Sequence, residues 1–473
     1  MPHIRILRHY IHTPYIVLAV GEAVVAGIAA YLGYYTRYQQ FPPLLPYLPS
    51  ALAYAVVIVT SIVAMGVYEA RLREGFSAMM LRTAVAIFLV ATILMGLVSY
   101  FLPVLEMHRA VLLFATLETF VLVAVFRWVS SALIDEDSLK KRVLVLGAGR
   151  RAEKIAARMR RRSDQRGFIL VGFIDPNQNS DSDQLSEHSA QILNTDLPLS
   201  KYCAAHDVDE IVVAVDEQRR NQDASGGLPL DELMECRLSG VNVCDVQQFI
   251  EREAGKVDVD LLRPSWMVYA DGFKISVPRA VVKRSFDLVT SLLMTLLTWP
   301  FMLITALCIK LESGFRTPVV YRQTRVGLDG ELFSVLKFRS MRMGDADADT
   351  HWTQTNDERI TRVGAVIRKT RIDELPQLFN VIVGNMSFVG PRPERPVFVE
   401  QFGEQIPFYN ERHRVKPGIT GWAQLCYPYG DSPEDAKEKL QYDLYYLKNH
   451  SILLDLAIMI QTVEVVLVGE GAR

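Results

Sequence analysis

The stretch Arg368-Lys369-Thr370-Arg371-Ile372-Asp373-Glu374-Leu375-Pro376-Gln377-Leu378-Phe379-Asn380 runs on to Gly390-Pro391-Arg392-Pro393, and the rest of the chain reads as its support. Leu375, Leu378, Phe379 and Ile382 recur at helical spacing, which predicts a helix from near residue 374 to about 383. Pro376 then belongs in its first turn, because an interior proline lacks a donor and clashes with the turn before it. Asp373 and Glu374 fall at the helix start, where free N–H groups and the positive end of the dipole favour negative charge. Arg368, Lys369 and Arg371 crowd the same place. Two adjacent acids among cations suit one carboxylate as nucleophile and one as ligand for the divalent ion that phosphoryl chemistry usually needs. The same residues also read more plainly as an N-cap, a first-turn acid and a solvated basic face.

Working outward, the motifs stand in order: Lys-Phe-Arg-Ser-Met (337–341), Arg-Ile-Thr-Arg-Val-Gly (359–364), the run 368–380, Asn-Met-Ser-Phe-Val-Gly-Pro-Arg-Pro (385–393) and Lys-Pro-Gly-Ile-Thr-Gly (416–421). Through them, residues 281 to about 470 resemble the bacterial sugar transferases, the monotopic phosphoglycosyl transferases that start exopolysaccharide and O-antigen assembly. The resemblance implies transfer of a hexose 1-phosphate from a UDP-sugar to undecaprenyl phosphate, with release of UMP, on the cytoplasmic face of the bacterial inner membrane. It also implies that Asp373 attacks the β-phosphate and holds the phospho-sugar, that Glu374 binds Mg²⁺, and that Arg368 and Arg392 bind phosphate. Gly390-Pro391-Arg392-Pro393 gives Arg392 a stiff backbone, which suits a donor that meets developing charge. Lys337 and Arg339 lie two apart on one face of a strand running from Leu332, a spacing that suits two phosphate oxygens or, equally, two surface cations.

Ahead of these motifs, residues 288–309 are apolar and long enough to span a bilayer. Pro300 sits near their middle, and Lys283, Arg284 and Lys310 flank both ends. A re-entrant helix-break-helix over 281–311, entering and leaving by one face, meets both facts; the family resemblance implies the same, with Trp299-Pro300 where Ser-Pro is usual. The acidic segment Asp345-Ala346-Asp347-Ala348-Asp349 fails as an EF-hand, since Thr350 and Asn356 stand where Gly and Glu are needed, and reads as a polar loop. Tyr442, Tyr445, Tyr446 and the run 452–468 read as packed or interfacial helices.

The N-terminal third carries four apolar stretches, about 14–34, 48–68, 83–105 and 109–129. Arg5 and Arg8 precede the first, Arg71, Arg73 and Arg82 follow the second, and Arg127, Lys140, Lys141 and Arg142 follow the fourth. The other two loops hold only Arg37 and Arg109, so the positive-inside rule puts everything after residue 130 in the cytoplasm. Glu22 and Glu118 lie within spans, as functional acids or as helix–helix hydrogen-bonding groups.

Between these parts, Arg142–Gly147 reads as a buried strand, and Gly147-Ala148-Gly149-Arg150-Arg151-Ala152 opens a helix through about residue 162. Gly-x-Gly-x-x-Ala is a weak Rossmann fingerprint, with Gly147 and Gly149 as the phosphate-contacting positions if a dinucleotide binds. Strands near 168–174, 209–215 and 241–245 alternate with helices, which predicts a small parallel α/β domain ending near 262. A tight turn and close helix packing explain the glycines without a ligand and are favoured.

The fold class expected is therefore membrane α plus α/β: a four-helix transmembrane block (1–134), a Rossmann-like accessory domain (135–262), a linker (263–280) and a mainly α-helical catalytic domain (281–473). With 51 basic and 53 acidic residues the chain is no general nucleic-acid binder, and its five cysteines show neither a zinc nor a disulfide spacing. Partners expected are the UDP-sugar, undecaprenyl phosphate and membrane lipid; a homodimer is compatible with the sequence but not specified by it. Two other classes stand beside this one: a metal-dependent glycosyltransferase using 345–349, and a nucleotide-sensing membrane scaffold without enzymatic activity.

Overall fold

The computed structural model describes residues 3–6, 9–65, 76–133, 140–158, 168–175, 192–193, 197–216, 228–262, 277–342, 359–427, 430 and 432–468. Its contacts divide into two compact units, the first made of Met1–Ile6 and Tyr10–Gly255, the second of Leu7–His9 and Lys256–Arg473.

In the first unit, after the paired strands β1 (His3–Ile6) and β2 (His9–His12), long apolar helices follow one another. They are α1 (Thr13–Tyr38), α2 (Leu44–Ala64), α3 (Phe76–Val85) continuing through a π-turn (Ala86–Ala91) into α4 (Thr92–Phe101), and α5 (Arg109–Leu133). Four spans in them, Ile16–Tyr38, Leu44–Ala64, Met79–Phe101 and Arg109–Ser130, are long and apolar enough to cross a membrane. Small residues sit where the rods touch. A Cβ on Gly33 would lie 2.5 Å from the backbone nitrogen of Ala115, so α1 and α5 approach through that glycine. Val17, Val20, Val24, Val121 and Val125 face outward, as lipid contact requires. The intramembrane acids are both used between helices. Glu22 accepts from Arg127 Nε (2.5 Å), whose Nη1 donates to Thr83 (2.6 Å), and Glu118 accepts from the Thr36 hydroxyl (2.7 Å). Arg127, counted above among the charges after the fourth span, is buried inside the bundle, because its acid partner lies there.

The same unit holds a four-stranded parallel sheet, order β4-β3-β5-β6, from β3 (Lys141–Leu146), β4 (Phe168–Ile174), β5 (Glu210–Val213) and β6 (Asn242–Asp245). Helices α6 (Arg150–Arg158), α7 (Leu199–Ala205), α8 (Leu230–Leu238) and α9 (Val246–Ala254) accompany it. Val143–Leu146 is buried throughout, the continuous apolar run expected of a covered parallel strand. The unit's chain runs to Gly255, a left-handed cap (φ 60°). Val257 and Val259 enter the second unit's core, and Val257 N–H donates to Gln441 C=O (3.0 Å).

The second unit begins with α10, one helix from Val277 to Ser313. Where a break was expected, the helix is continuous through Pro300. Pro300 removes one backbone bond only, and the Thr295 and Thr298 hydroxyls turn back onto the Ser291 and Met294 carbonyls (2.7 Å each), a contact that relaxes a helix without ending it. A β7 (Val320–Val326) and β8 (Leu332–Phe338) antiparallel hairpin follows, then α11 (Arg362–Lys369), α12 (Gln377–Val383), β9 (Ser387–Val389) and α13 (Pro396–Gln405). Strand β10 (Gly418–Thr420) lies parallel to β9, ahead of α14 (Trp422–Cys426), α15 (Pro433–Asn449) and α16 (Ile452–Val468). The tail packs rather than protrudes: Leu454 and Ile458 are fully buried, and Asp455 meets Lys283 (2.8 Å) and the Tyr446 hydroxyl (2.7 Å). Residues 345–349 lie outside the described residues.

Candidate active site

Both ends of α10 dock on the second unit. At its start, Asp287 accepts from the Ser387 hydroxyl (2.9 Å) and the Phe388 N–H (3.1 Å), while Arg284 donates to the Val381 and Ile382 carbonyls (2.6 and 2.7 Å) that end α12. At its far end Ile309 packs with Phe338 and Ile367, and Glu312 accepts from the N–H groups of Arg362 and Val363 that open α11 (2.8 and 3.0 Å). The helix's middle, Leu292 to Leu307, shows most of its leucines to the outside.

The expected helix from 374 to 383 is in fact two pieces. Arg371 adopts left-handed backbone (φ 58°), a 3₁₀ turn covers Ile372–Glu374, and α12 starts only after Pro376. Ile372 and Leu375 pack into the cluster around Ile309 and Phe338, a three-residue spacing that leaves Asp373 and Glu374 turned away from it. Neither acid caps a helix. Asn380 then fixes this segment to the hairpin: its Oδ1 accepts from Leu336 N–H (3.0 Å) and its Nδ2 donates to Ser334 C=O (2.8 Å).

That clamp brings Lys337 onto Glu374, Nζ to Oε1 2.7 Å. Arg392 approaches the same oxygen (3.7 Å) and Arg371 the other (3.8 Å). Burial would raise the Glu374 carboxyl, but Lys337, Arg392 and Arg371 together outweigh it and hold the group down at about 2. Its neighbour goes the other way. Burial first, then the Glu374 charge, pushes Asp373 up to about 6, against the pull of Lys337, Arg368 and Arg371. One carboxylate stays firmly ionised while the other is more basic and still ionisable near neutral pH.

Of the residues expected at the site, Glu374, Lys337 and Arg392 come into contact, and Lys337 and Arg368 act on the adjacent Asp373 through their charge. Arg339 is buried, and among the described residues no ion pair or hydrogen bond ties its side chain to the dyad. Gly147 and Gly149 belong to the first unit. Two supports carried no signal in the sequence, Gln424, which accepts from Arg392 Nη1 (3.4 Å), and Arg412, which donates to the Arg392 carbonyl (3.1 Å) and pairs with buried Asp443 (2.8 Å); Asn380 lay in the quoted run, but its role as a clamp did not show there. Among the described residues no three His, Cys, Asp or Glu side chains cluster as a metal site. Glu374 Oε2, whose one contact among the described residues is the long one to Arg371, would fit an ion such as Mg²⁺ that takes one or two carboxylates and draws its other ligands from water and substrate phosphates.

An acid pair fixed among cations sits on a unit that carries a long apolar helix, in a chain whose apolar helices mark a membrane protein. Comparison with known sequences is specific: the family profile described as Bacterial sugar transferase matches residues 278–469, and one described as a CoA-binding domain matches 63–222. The exopolysaccharide production protein PSS of Rhizobium leguminosarum bv. phaseoli is 44% identical over 190 residues, covering 39% of this chain and 94% of that protein. The chain belongs to the bacterial sugar transferase family. The UDP-N-acetylgalactosamine-undecaprenyl-phosphate N-acetylgalactosaminephosphotransferase of Aeromonas hydrophila is 43% identical over 242 residues, 51% of this chain and 56% of that protein. The undecaprenyl-phosphate glucose phosphotransferase of Komagataeibacter xylinus is 34% identical over 333 residues, 69% of this chain and 59% of that protein. The chain thus matches little more than half the length of these two longer relatives.

Proposed function

We propose that this chain transfers a hexose 1-phosphate from a UDP-sugar to undecaprenyl phosphate, the first membrane step of a polysaccharide pathway. The observation that carries the reading is the split acid pair, Asp373 raised and Glu374 held low, within a ring of Lys337, Arg371 and Arg392. The names of the relatives support the substrate pair. In the first half-reaction an Asp373 oxygen attacks the β-phosphorus, the bond to the bridging oxygen breaks, and UMP leaves with that oxygen and its electron pair. In the second, a phosphate oxygen of the polyprenyl phosphate attacks the same phosphorus, and the Asp373 carboxylate leaves. Undecaprenyl-diphosphate-hexose is the product. Lys337 and Arg392, already turned on Glu374, are poised to neutralise the diphosphate, and Arg412 and Gln424 hold Arg392 in place. Mg²⁺ at Glu374, if bound with the donor, would add Lewis-acid neutralisation of the departing phosphate.

The same reading makes α10 a re-entrant membrane element, bent at Pro300 without losing its helical continuity, with the site on the cytoplasmic face of the inner membrane. Its support is that residues near both ends, Asp287 and Ile309, dock on one compact unit while the leucines between them stay exposed. The test is a single-turnover reaction with a panel of UDP-sugars, with intact-mass detection of the enzyme adduct and identification of the released nucleotide. An aspartyl phospho-sugar with UMP is expected; release of UDP without an adduct would refute the reading and favour a glycosyltransferase.

A further inference from the structure

The CoA-binding profile covers the glycine turn of the first unit and so implies a nucleotide there, and the turn itself can be tested for one. In an open parallel sheet a nucleotide's phosphates sit at the carboxyl ends of adjacent strands where the winding reverses, on the N-terminus of the helix after the glycines. Here that place lies between β3 and β5, the central pair of the order β4-β3-β5-β6. Gly147, with φ +131°, is pressed so close to β5 that a Cβ would meet the Ala214 carbonyl oxygen at 2.5 Å. Its conformation serves the strand-to-helix turn. The next glycine faces no open cradle either: a Cβ on Gly149 would lie 2.1 Å from Oδ2 of Asp216, which follows β5. That carboxylate spans the start of α6, Oδ2 accepting from Arg150 N–H (2.9 Å) and Oδ1 from Arg151 N–H (3.3 Å).

We propose that Asp216 is the resident anion of this turn, so that the α/β part of this chain does not take a nucleotide phosphate at Gly147–Arg151. The carboxylate satisfies two of the N–H groups a pyrophosphate would use, and brings a negative charge to the spot where the incoming phosphates would have to go. A ligand would have to displace a covalently tethered competitor at high effective concentration and leave its charge beside its own. The small-residue fingerprint survives because the glycines are needed for backbone approach, to Ala214 and to Asp216 itself. This inference does not depend on the transferase reading, since it concerns residues of the other unit.

The experiment is hydrogen–deuterium exchange on the full chain in detergent, read at peptides covering 147–158, with and without CoA or NAD⁺ at 1 mM. The intact protein is expected to show no ligand-dependent protection there. Asp216→Ala should raise exchange of these amides several-fold, and should acquire protection by CoA or NAD⁺ at the same concentration. Protection of the unaltered chain at 147–158 would overturn the proposal, as would an Asp216→Ala variant whose exchange is unchanged with and without ligand. Should that variant not fold, Asp216→Asn keeps a single acceptor oxygen and is expected to give an intermediate rise in exchange; an unaltered rate there would likewise remove Asp216 as the occupant.

Discussion

Replacing Lys337 with Met removes the ammonium 2.7 Å from Glu374 while keeping a side chain of similar length on β8. Lys337 is also one of three cations that lower Asp373, against burial and the Glu374 charge that raise it to about 6. At about 6 Å, the outer edge of the range over which an opposite charge shifts a carboxylate, two unit charges are worth about 3 kcal/mol at an effective dielectric of about 20. Lys337 is 23% exposed, so screening reduces its effect on Asp373 to about half that, or about one pKa unit at 1.36 kcal/mol per unit. The sign follows from the chemistry: losing a cation disfavours the carboxylate, so Asp373 ionises later and the acid limb of adduct formation moves up, from about 6 to about 7. At pH 6 the ionised fraction falls from about one half to about one tenth, a loss of about five-fold; at pH 8 the loss is under about 10%. Single-turnover adduct formation followed by mass spectrometry from pH 5 to 8.5 separates this tuning from direct phosphate binding. A deficit equal at all pH values, with the limb unmoved, would refute the tuning argument and leave Lys337 as a substrate contact alone.

Asp373→Asn is expected to abolish the adduct and turnover. Because the folded-state pKa of Asp373 lies above its ordinary value, its ionisation costs stability as pH rises through about 6; the Asn variant should therefore melt higher than the parent at pH 8, by a few degrees, and equally at pH 4. Glu374→Gln should lose activity by at least about 100-fold and its dependence on Mg²⁺, whereas full activity of the parent in excess EDTA would remove the metal. In a cysteine-free background, probes near residues 284 and 312, at side chains that do not dock α10, should both resist an impermeant maleimide on intact cells; external labelling near 312 in an active enzyme would refute the re-entrant helix. Arg412→Met leaves buried Asp443 without its partner and should destabilise the second unit by about 3 kcal/mol, read as a drop in melting temperature; Asp443→Asn in the same chain should recover part of it.

What the sequence alone determined is what depends on neighbours along the chain. Apolar length marked the helices of the N-terminal block and α10, because a bilayer-crossing helix needs only a continuous run of apolar residues. The α/β strands were legible as short apolar runs between turn residues, and the acid pair as two covalently adjacent carboxylates with basic residues beside them. The tertiary structure decided the rest. Lys337 reaches Glu374 across 37 residues because Asn380 ties α12 to β8, and Arg392 reaches it through a loop braced by Arg412. The opposite shifts of Asp373 and Glu374 arise from that assembly, since two like groups adjacent in sequence differ only in the burial and the charges folding brings to each. The glycine turn read as a dinucleotide fingerprint because its local pattern is the same with or without a ligand; only the fold brings Asp216, 66 residues beyond Arg150, onto the helix start where a phosphate would sit. Local pattern specifies backbone shape and burial, but the partner that fills a site comes from distant parts of the chain, and its arrival depends on how strands and helices pack.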